Sequence, residues 1–101
     1  MGNKIKRCVI VSGAPEADLS FIENNITKND YVICADSGYK KCIQIGIVPD
    51  LIIGDFDSSL NPDLPCEIIT LNREKAYTDT FHCVIEAVER GYKNIIIFGA
   101  I

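Results

Sequence analysis

The sequence predicts an α/β domain whose mostly parallel sheet is flanked by helices. Short apolar runs rich in β-branched residues recur along the chain, and segments with helical spacing of apolar residues lie between them. This alternation of strand and helix patterns is typical of α/β folds. Runs such as Cys8–Val11 do not alternate with polar residues, which indicates strands buried on both faces, as in a parallel sheet.

The predicted strands follow from these apolar runs. Four of them are Arg7–Val11, Tyr31–Ala35, Leu51–Ile53 and Ile95–Phe98, and a further candidate is Glu67–Leu71. The prolines within residues 55–65 predict a loop after the third strand.

Three helices are predicted between the strands. The first begins at Pro15, whose fixed φ suits a first helical position. The second begins near Ser37 and ends at Gly46, a residue type that favours helix C-termini. The third follows Thr78 as the N-cap, carries apolar residues at i, i+3, i+4 and i+7, and ends at Gly91.

Composition narrows the classes of function. The chain of 101 residues suits one domain over residues 1–101, and its net charge of −4 comes without a Lys/Arg stripe, which argues against nucleic-acid binding. Its five cysteines are odd in number and have no CxxC spacing, so we expect reduced thiols and no zinc site. No apolar run reaches the roughly 18 residues of a membrane span. We therefore expect a soluble, cytoplasmic protein that binds a small ligand.

A pair of carboxylates follows the third predicted strand. Asp55 and Asp57 stand two residues apart between Gly54 and Ser58. In extended chain both would point the same way, and Mg²⁺ binds through one or two carboxylates while phosphate and water complete its shell. The alternative is a solvated acidic turn in which Asp57 and Ser58 act as a cap.

Two further acids stand at comparable places. Asp36 ends the second predicted strand and Ser37-Gly38 opens a helix, which suits a ribose hydroxyl or a phosphate. Asp79 begins the third helix. There, the helix N-terminus favours an anion, as does the charge of Lys75. The alternative in both places is helix capping.

Two other features carry less chemical information. Ser12-Gly13 forms a strand-to-helix turn with backbone N–H groups, but it matches neither the GxGxxG nor the GKS/T pattern. The single histidine, His82, lies among helical residues without a nucleophile motif, and we interpret it as structural.

In order and spacing, these motifs resemble those of thiamine pyrophosphokinases. The matching pieces are Ser12-Gly13, Ala35-Asp36-Ser37-Gly38, the segment from Ile47 through Pro49 to Ser58, Glu74-Lys75 with Thr78-Asp79, and Phe98-Gly99-Ala100. The resemblance implies a Rossmann-like domain that binds ATP with Mg²⁺, followed in the family by an all-β domain that is absent from this chain. It also implies transfer of pyrophosphate from ATP to thiamine, giving thiamine diphosphate and AMP, by a homodimer that binds thiamine where its subunits meet.

Roles for individual residues follow from the same resemblance. It assigns catalysis and metal binding to Asp55, Asp57 and Asp79. It assigns nucleotide binding to Ser12, Gly13, Asp36, Ser37, Gly38, Ser58, Lys75 and Thr78. Ala76 is a departure, because the family usually has a further acid directly after the lysine. The family's Arg-x-Asp-His run after the last strand is also absent, so we expect a domain truncated at its C-terminal end and inactive alone.

Two other functions remain open on sequence grounds. One is a different metal-dependent phosphotransferase or phosphohydrolase on a similar sheet. The other is a nucleotide-binding module without catalysis, which Ala76 would favour. The products distinguish them, because AMP indicates pyrophosphoryl transfer, whereas ADP or free phosphate indicates other chemistry.

Overall fold

The computed structural model describes residues 7–13, 19–35, 38–54, 65–70 and 79–98. The elements in chain order are β1 (Arg7–Val11), α1 (Leu19–Asn25), β2 (Tyr31–Ala35), α2 (Gly38–Gln44), β3 (Leu51–Gly54), β4 (Glu67–Thr70), α3 (Asp79–Glu89) and β5 (Asn94–Phe98).

The strands form one sheet in the order β4-β3-β2-β1-β5. Every neighbouring pair in it is parallel. Val9 in β1 lies opposite Val32 on one side and Ile96 on the other. The predicted parallel α/β architecture is therefore confirmed. β1 lies inside the sheet, with β2, β3 and β4 on one side of it and β5 on the other.

Helices cover both faces of this sheet, and each face has its own core cluster. On one face Cys83 and Ala87 of α3 pack against a cluster that includes Ile10 and Ile33. On the other face Ile22 of α1 and Cys42 of α2 pack against a second cluster. Because successive strand residues point to opposite faces, a continuous apolar run such as β1 supplies both clusters at once.

Strand burial confirms part of the prediction and corrects the rest. The last four residues of β1 and of β2 are buried, and β3 is buried throughout. For β5 the predicted burial on both faces is wrong, since Ile97 is 41% exposed. The reason is position: β5 lies at an edge of the sheet formed by the described residues, which periodicity along the chain does not reveal.

The element boundaries are close to the predicted ones. The third strand extends one residue further, to Gly54, and β5 begins at Asn94. α2 begins at Gly38, and Gly46 and Gly91 adopt the positive φ values of 81° and 94° expected after a helix. The predicted first-helix start at residue 15 and the N-cap at residue 78 lie outside the described residues, as do residue 71 and the loop of residues 55–64.

An ion pair joins elements at the amino edge of the sheet, where the strands begin. The guanidinium of Arg7 donates to both carboxylate oxygens of Asp30, from Nε at 3.0 Å and from Nη2 at 2.5 Å. Nη2 also donates to the carbonyl of Asn25 at 2.7 Å, at the end of α1. The backbone N–H of Thr27 donates to Asp30 at 2.9 Å. This pair therefore fixes the end of α1 and the turn before β2 to the start of β1.

A second arginine binds groups at the same edge. Arg90 follows α3 and donates to Glu86 at 2.8 Å, to the Tyr31 hydroxyl at 2.9 Å and to Glu67 at 3.2 Å. Its guanidinium lies 5.7 Å from the centre of the Tyr31 ring, which stacks on Tyr92. Tyr31 and Glu67 are the first residues of β2 and β4, so these contacts hold the end of α3 at the amino edge.

No helix in the described ranges has the length and hydropathy needed to cross a membrane.

Candidate functional site

The described residues among those predicted for the site, Ser12, Gly13, Gly38 and Asp79, lie at the opposite, carboxyl edge of the sheet. Because all five strands are parallel, their carboxyl ends lie along one edge. Ser12 and Gly13 follow β1 at this edge, and Gly54, the residue before Asp55, ends β3. Asp36 and Ser37 occupy the sequence between the end of β2 and the start of α2. The strand ends that precede three sequence-predicted segments thus lie on one side of the molecule.

The strand order places a switch point at this edge. The chain adds β2, β3 and β4 on one side of β1, and then returns to place β5 on the other side. In open α/β sheets, ligands bind in the crevice that such a reversal leaves at the carboxyl ends of the strands. Here the reversal falls between the ends of β1 and β5, next to Ser12. The Ser12-Gly13 turn, which carried little information in the sequence, therefore lies at the position expected for a ligand.

The end of β1 is held firmly at the switch point. The backbone N–H of Ser12 donates to the carbonyl of Phe98 at 2.9 Å, which extends the β1–β5 pairing one residue beyond β1. The Phe98 ring packs edge-on against Phe21 of α1, with centroids 5.7 Å apart. The carboxyl ends of β1 and β5 are thereby fixed relative to each other.

Gly38 brings the first residue of α2 against the end of β1. A Cβ built on Gly38 would lie 2.1 Å from the Val11 carbonyl oxygen and 3.0 Å from the carbonyl carbon of Ser12. Only a residue without a side chain permits this approach. The structure thus brings together Ser12 and Gly38, two predicted nucleotide-site residues that are far apart in sequence. It also shows that Gly38 has a packing role of its own.

The backbone of α3 begins at this edge as well. α3 connects the parallel strands β4 and β5, so it runs back from their carboxyl edge to the amino edge. Its far end is at the amino edge, because Arg90 contacts the first residues of β2 and β4 there. Asp79, the first residue of α3, is therefore at the carboxyl edge with Ser12 and Gly38.

The remaining predicted residues lie outside the described parts of the chain. They are Asp36, Ser37, Asp55, Asp57, Ser58, Lys75 and Thr78. Among the described residues, no group of three or more His, Cys, Asp or Glu side chains could hold a metal ion. His82 lies partly buried on α3, and we assign it no role at the carboxyl edge.

One acid within the segment most specific to the resemblance proves to be structural. The Asp50 carboxylate accepts from the backbone N–H of Val32 at 2.8 Å, and the Asp50 N–H donates to the Val32 carbonyl at 2.8 Å. Asp50 precedes β3, at the amino edge, and Pro49 beside it is fully buried. Sequence reasoning missed this role. The Pro-Asp pair directly before the predicted third strand was the available signal, because Pro suits the start of a strand and Asp side chains accept hydrogen bonds from nearby backbone N–H groups.

The arginines of the described residues lie at the amino edge of the sheet, opposite the candidate site. Arg7 and Arg90, the arginines of the described residues, are both paired with acids at the amino edge. Neither one is available to neutralise an anion at the carboxyl edge. α3 begins at Asp79 at the carboxyl edge, and β3 ends there at Gly54, the residue before Asp55 in the sequence.

Comparison with known proteins agrees with this arrangement. The family model described as the catalytic domain of thiamin pyrophosphokinase matches residues 22–101. No protein among those with curated descriptions matches significantly.

Solved structures provide a second comparison. The thiamin pyrophosphokinase of Geobacillus thermodenitrificans is 27% identical with a TM-score of 0.72, and the match covers 94% of this chain and 47% of that one. The thiamine pyrophosphokinase of Bacillus subtilis gives 22% identity and a TM-score of 0.72, covering 92% and 46%. A protein from Lactobacillus plantarum gives 15% identity and a TM-score of 0.62, covering 97% and 45%. The last two show the fold alone, and this chain spans about half the length of all three.

A parallel sheet with a switch point at its carboxyl edge and helices on both faces defines an α/β domain of the doubly wound class. With the family model matching most of its length, the chain belongs to the thiamin pyrophosphokinase catalytic-domain family.

Proposed function

We propose that this chain supplies the ATP- and magnesium-binding part of a thiamine diphosphokinase, a transferase that moves pyrophosphate from ATP to thiamine. The products would be thiamine diphosphate and AMP. The observation that carries the proposal is the convergence of Ser12, Gly38 and the residues before Asp55 and at Asp79 on one edge, in a chain of this family.

The residues at this edge fit a nucleotide held through its phosphates. Gly38 has no side chain, so the N-terminus of α2 lies directly against the end of β1 and Ser12. Ser12, Gly13, Asp36, Ser37, Gly38, Ser58, Lys75 and Thr78 would bind the nucleotide. Asp36, at the end of a buried strand, would accept hydrogen bonds from the ribose hydroxyls.

The same edge fits a magnesium ion in its donor chemistry. Asp55, Asp57 and Asp79 would hold the ion, since hard carboxylate oxygens are the ligands that Mg²⁺ prefers. When bound, the ion would neutralise phosphate charge that the paired arginines Arg7 and Arg90 do not reach. The chain's own contribution is to position the phosphates for attack by the thiamine hydroxyl, which requires no protein nucleophile.

Assembly and location complete the proposal. The family resemblance supports a homodimer in which thiamine binds between subunits, and size-exclusion chromatography with light scattering on the full-length protein tests the stoichiometry. A cytoplasmic location fits free thiols, because the structure holds all five cysteines unpaired.

The deciding experiment replaces the acid next to β3. In the full-length protein, Asp55→Asn should lower turnover by about two orders of magnitude or more while leaving the circular dichroism spectrum unchanged, because an amide is a poor magnesium ligand. The matched control is Asp50→Asn, five residues earlier, whose carboxylate hydrogen-bonds Val32 at the opposite edge. That control should change stability slightly and turnover hardly at all.

Product analysis distinguishes the proposal from its alternatives. With Mg²⁺, ATP and thiamine, the wild-type protein should release AMP and thiamine diphosphate in equal amounts. Release of ADP or phosphate would instead identify another phosphotransferase or phosphohydrolase. Binding of ATP without any product would identify a nucleotide-binding module, and normal turnover by Asp55→Asn would remove the metal role.

A further inference from the structure

Two cysteines of neighbouring elements touch inside the core. The sulfur of Cys34 in β2 lies 3.3 Å from the sulfur of Cys42 in α2, and both residues are fully buried. They belong to the cluster between the sheet and the helices α1 and α2. Cys8 and Cys83 are equally buried, but they lie in the cluster on the other face of the sheet.

The contact is close to the geometry of a disulfide. Its sulfurs need to approach by roughly 1.3 Å to reach the ~2.05 Å of an S–S bond. Gly38, one helical turn before Cys42, keeps α2 unusually close to the sheet, because nothing but its hydrogen separates the backbone from the Val11 carbonyl. The two thiols thus face each other across a tightly docked helix–strand interface.

We propose that Cys34 and Cys42 are an oxidisable dithiol, which hydrogen peroxide converts to an intramolecular disulfide that fixes α2 to β2. This is a modification site distinct from the nucleotide edge.

The chemistry balances with peroxide as the only co-reactant. The Cys42 thiolate attacks one peroxide oxygen, the O–O bond breaks, and the products are the Cys42 sulfenic acid and hydroxide. The Cys34 thiolate then attacks the Cys42 sulfur, the S–S bond forms, and the sulfenic oxygen leaves as hydroxide. The two thiol protons convert the two hydroxides to water, so two thiols and one peroxide give one disulfide and two waters.

Cys42 is the thiol suited to react first. The hydrogen bond from Cys34 lowers the pKa of Cys42, whereas the same bond together with burial raises the pKa of Cys34. Cys42 also sits on a seven-residue helix whose outer side, including Ile43, is exposed. Short helices open locally more readily than the central strands, and such an opening would admit a molecule as small as peroxide.

The disulfide would act on the neighbouring edge. The chain between the two cysteines contains Asp36, Ser37 and Gly38, and Gly38 already abuts β1, so α2 cannot simply slide towards the sheet. Formation of the disulfide must instead tilt α2 or move its N-terminus relative to β2. This consequence rests on the proposed function: we expect oxidation to weaken ATP binding by about tenfold or more, since displacements near ~1 Å are costly at phosphate sites.

The test oxidises the full-length protein with a small excess of peroxide, blocks the remaining thiols after denaturation, and maps the peptides by mass. The expected result is a peptide pair joined through Cys34 and Cys42 that dithiothreitol separates. Cys34→Ala and Cys42→Ala should abolish it. The matched control Cys8→Ala, equally buried on the other face, should leave it intact. Recovery of Cys34 and Cys42 as blocked free thiols, while the partly exposed Cys66 is oxidised, would overturn the proposal.

Nucleotide binding separates this inference from the proposed function. The affinity for ATP is measured on reduced and oxidised wild type and on Cys42→Ala. Weaker binding by oxidised wild type, with no effect of peroxide on Cys42→Ala, supports the coupling. A mapped disulfide with unchanged affinity overturns the coupling but not the nucleotide site. Absence of ATP binding by the reduced protein contradicts the proposed function, and the peptide map still decides the fate of the dithiol.

Discussion

At the residue scale, small local features determine what each edge of the sheet can do. At the carboxyl edge the decisive feature is the absence of a side chain at Gly38, which lets α2 begin against β1. At the amino edge it is the pairing of Arg7 with Asp30, whose carboxylate is only 5% exposed. The first feature determines how closely α2 docks at the candidate site, and the second joins β1 to the turn before β2.

Replacing Gly38 should therefore affect both fold and site. Gly38→Ala places a Cβ 2.1 Å from a backbone oxygen, so α2 must shift, at a cost of about 1–3 kcal/mol or more, with weaker ATP binding. The control Gly46→Ala has open space but a φ of 81°, and should cost about 1 kcal/mol without affecting ATP. Urea denaturation and ATP titration of the full-length variants measure both effects. Equal behaviour of the two variants would show that the contact at Gly38 relaxes freely.

The Arg7–Asp30 pair makes stability depend on pH. Hydrogen bonds from Arg7 and Thr27 outweigh the opposing effect of burial and lower the pKa of Asp30 below its ordinary value of 3.8. Its contribution is therefore complete above that ordinary value and is lost as the pH falls through the lower folded-state pKa. Asp30→Asn should cost about 1–2 kcal/mol at pH 6, since Arg7 is partly exposed, and less at pH 3, which lies below the ordinary pKa of 3.8.

Denaturant titrations at both pH values measure this difference. Glu89→Gln, which removes an exposed acid at the end of α3, is the control and should change the free energy of unfolding little at either pH. A cost of Asp30→Asn that persisted undiminished at pH 3 would contradict the role of its charge.

At the scale of elements, position in the sheet determines what an apolar residue contributes. The strands β1 and β5 have similar composition, yet β1 lies between two neighbours and β5 lies at an edge of the described sheet. Ile10 is fully buried between β1's neighbours and α3, while Ile97 is 41% exposed. The same residue type therefore has two different energetic roles.

This difference is measurable by truncating both side chains. Ile10→Ala removes a fully buried side chain and should lower the free energy of unfolding by about 2–5 kcal/mol. Ile97→Ala in the same 101-residue chain should cost about 1 kcal/mol or less, because part of that side chain remains in water. Guanidinium denaturation of both variants compares them directly. Similar costs would mean that β5 is covered in solution, for example by a second copy of the chain.

At the scale of the whole molecule, the proposed reaction needs groups on both sides of the transferred phosphate. The chain spans about 46% of the B. subtilis structure that it resembles. Positioning an acceptor hydroxyl within ~3–3.5 Å of a phosphorus atom requires walls on both sides of the reacting groups. The proposed division is that this domain binds Mg·ATP and that other parts of a full-length dimer bind thiamine.

The 101-residue chain alone should therefore form no thiamine diphosphate. The full-length protein, assayed beside it with Mg²⁺, ATP and thiamine, should release AMP and thiamine diphosphate. Liquid chromatography of both reactions measures the products. Comparable turnover by the short chain would place the acceptor site within these residues and overturn the proposed division.

The sequence by itself determined most elements of this protein, and it predicted the chemistry of the candidate site. Continuous β-branched runs specify strands such as Cys8–Val11, because such residues suit buried pleated surfaces. Gly46 and Gly91 specify helix ends, since their positive φ values favour residues without a Cβ. Paired acids after a strand, as at Asp55 and Asp57, indicate magnesium because that preference is a property of carboxylate oxygen itself.

Tertiary structure alone decided how those elements are arranged. The order β4-β3-β2-β1-β5, the edge position of β5 and the partners of Arg7 and Arg90 depend on contacts between distant segments, which periodicity does not encode. The same holds for the meeting of Ser12 with Gly38 and of Cys34 with Cys42. Local preferences act over a few neighbouring residues and can be read from the sequence, whereas strand order and side-chain contacts result from packing the whole chain at once.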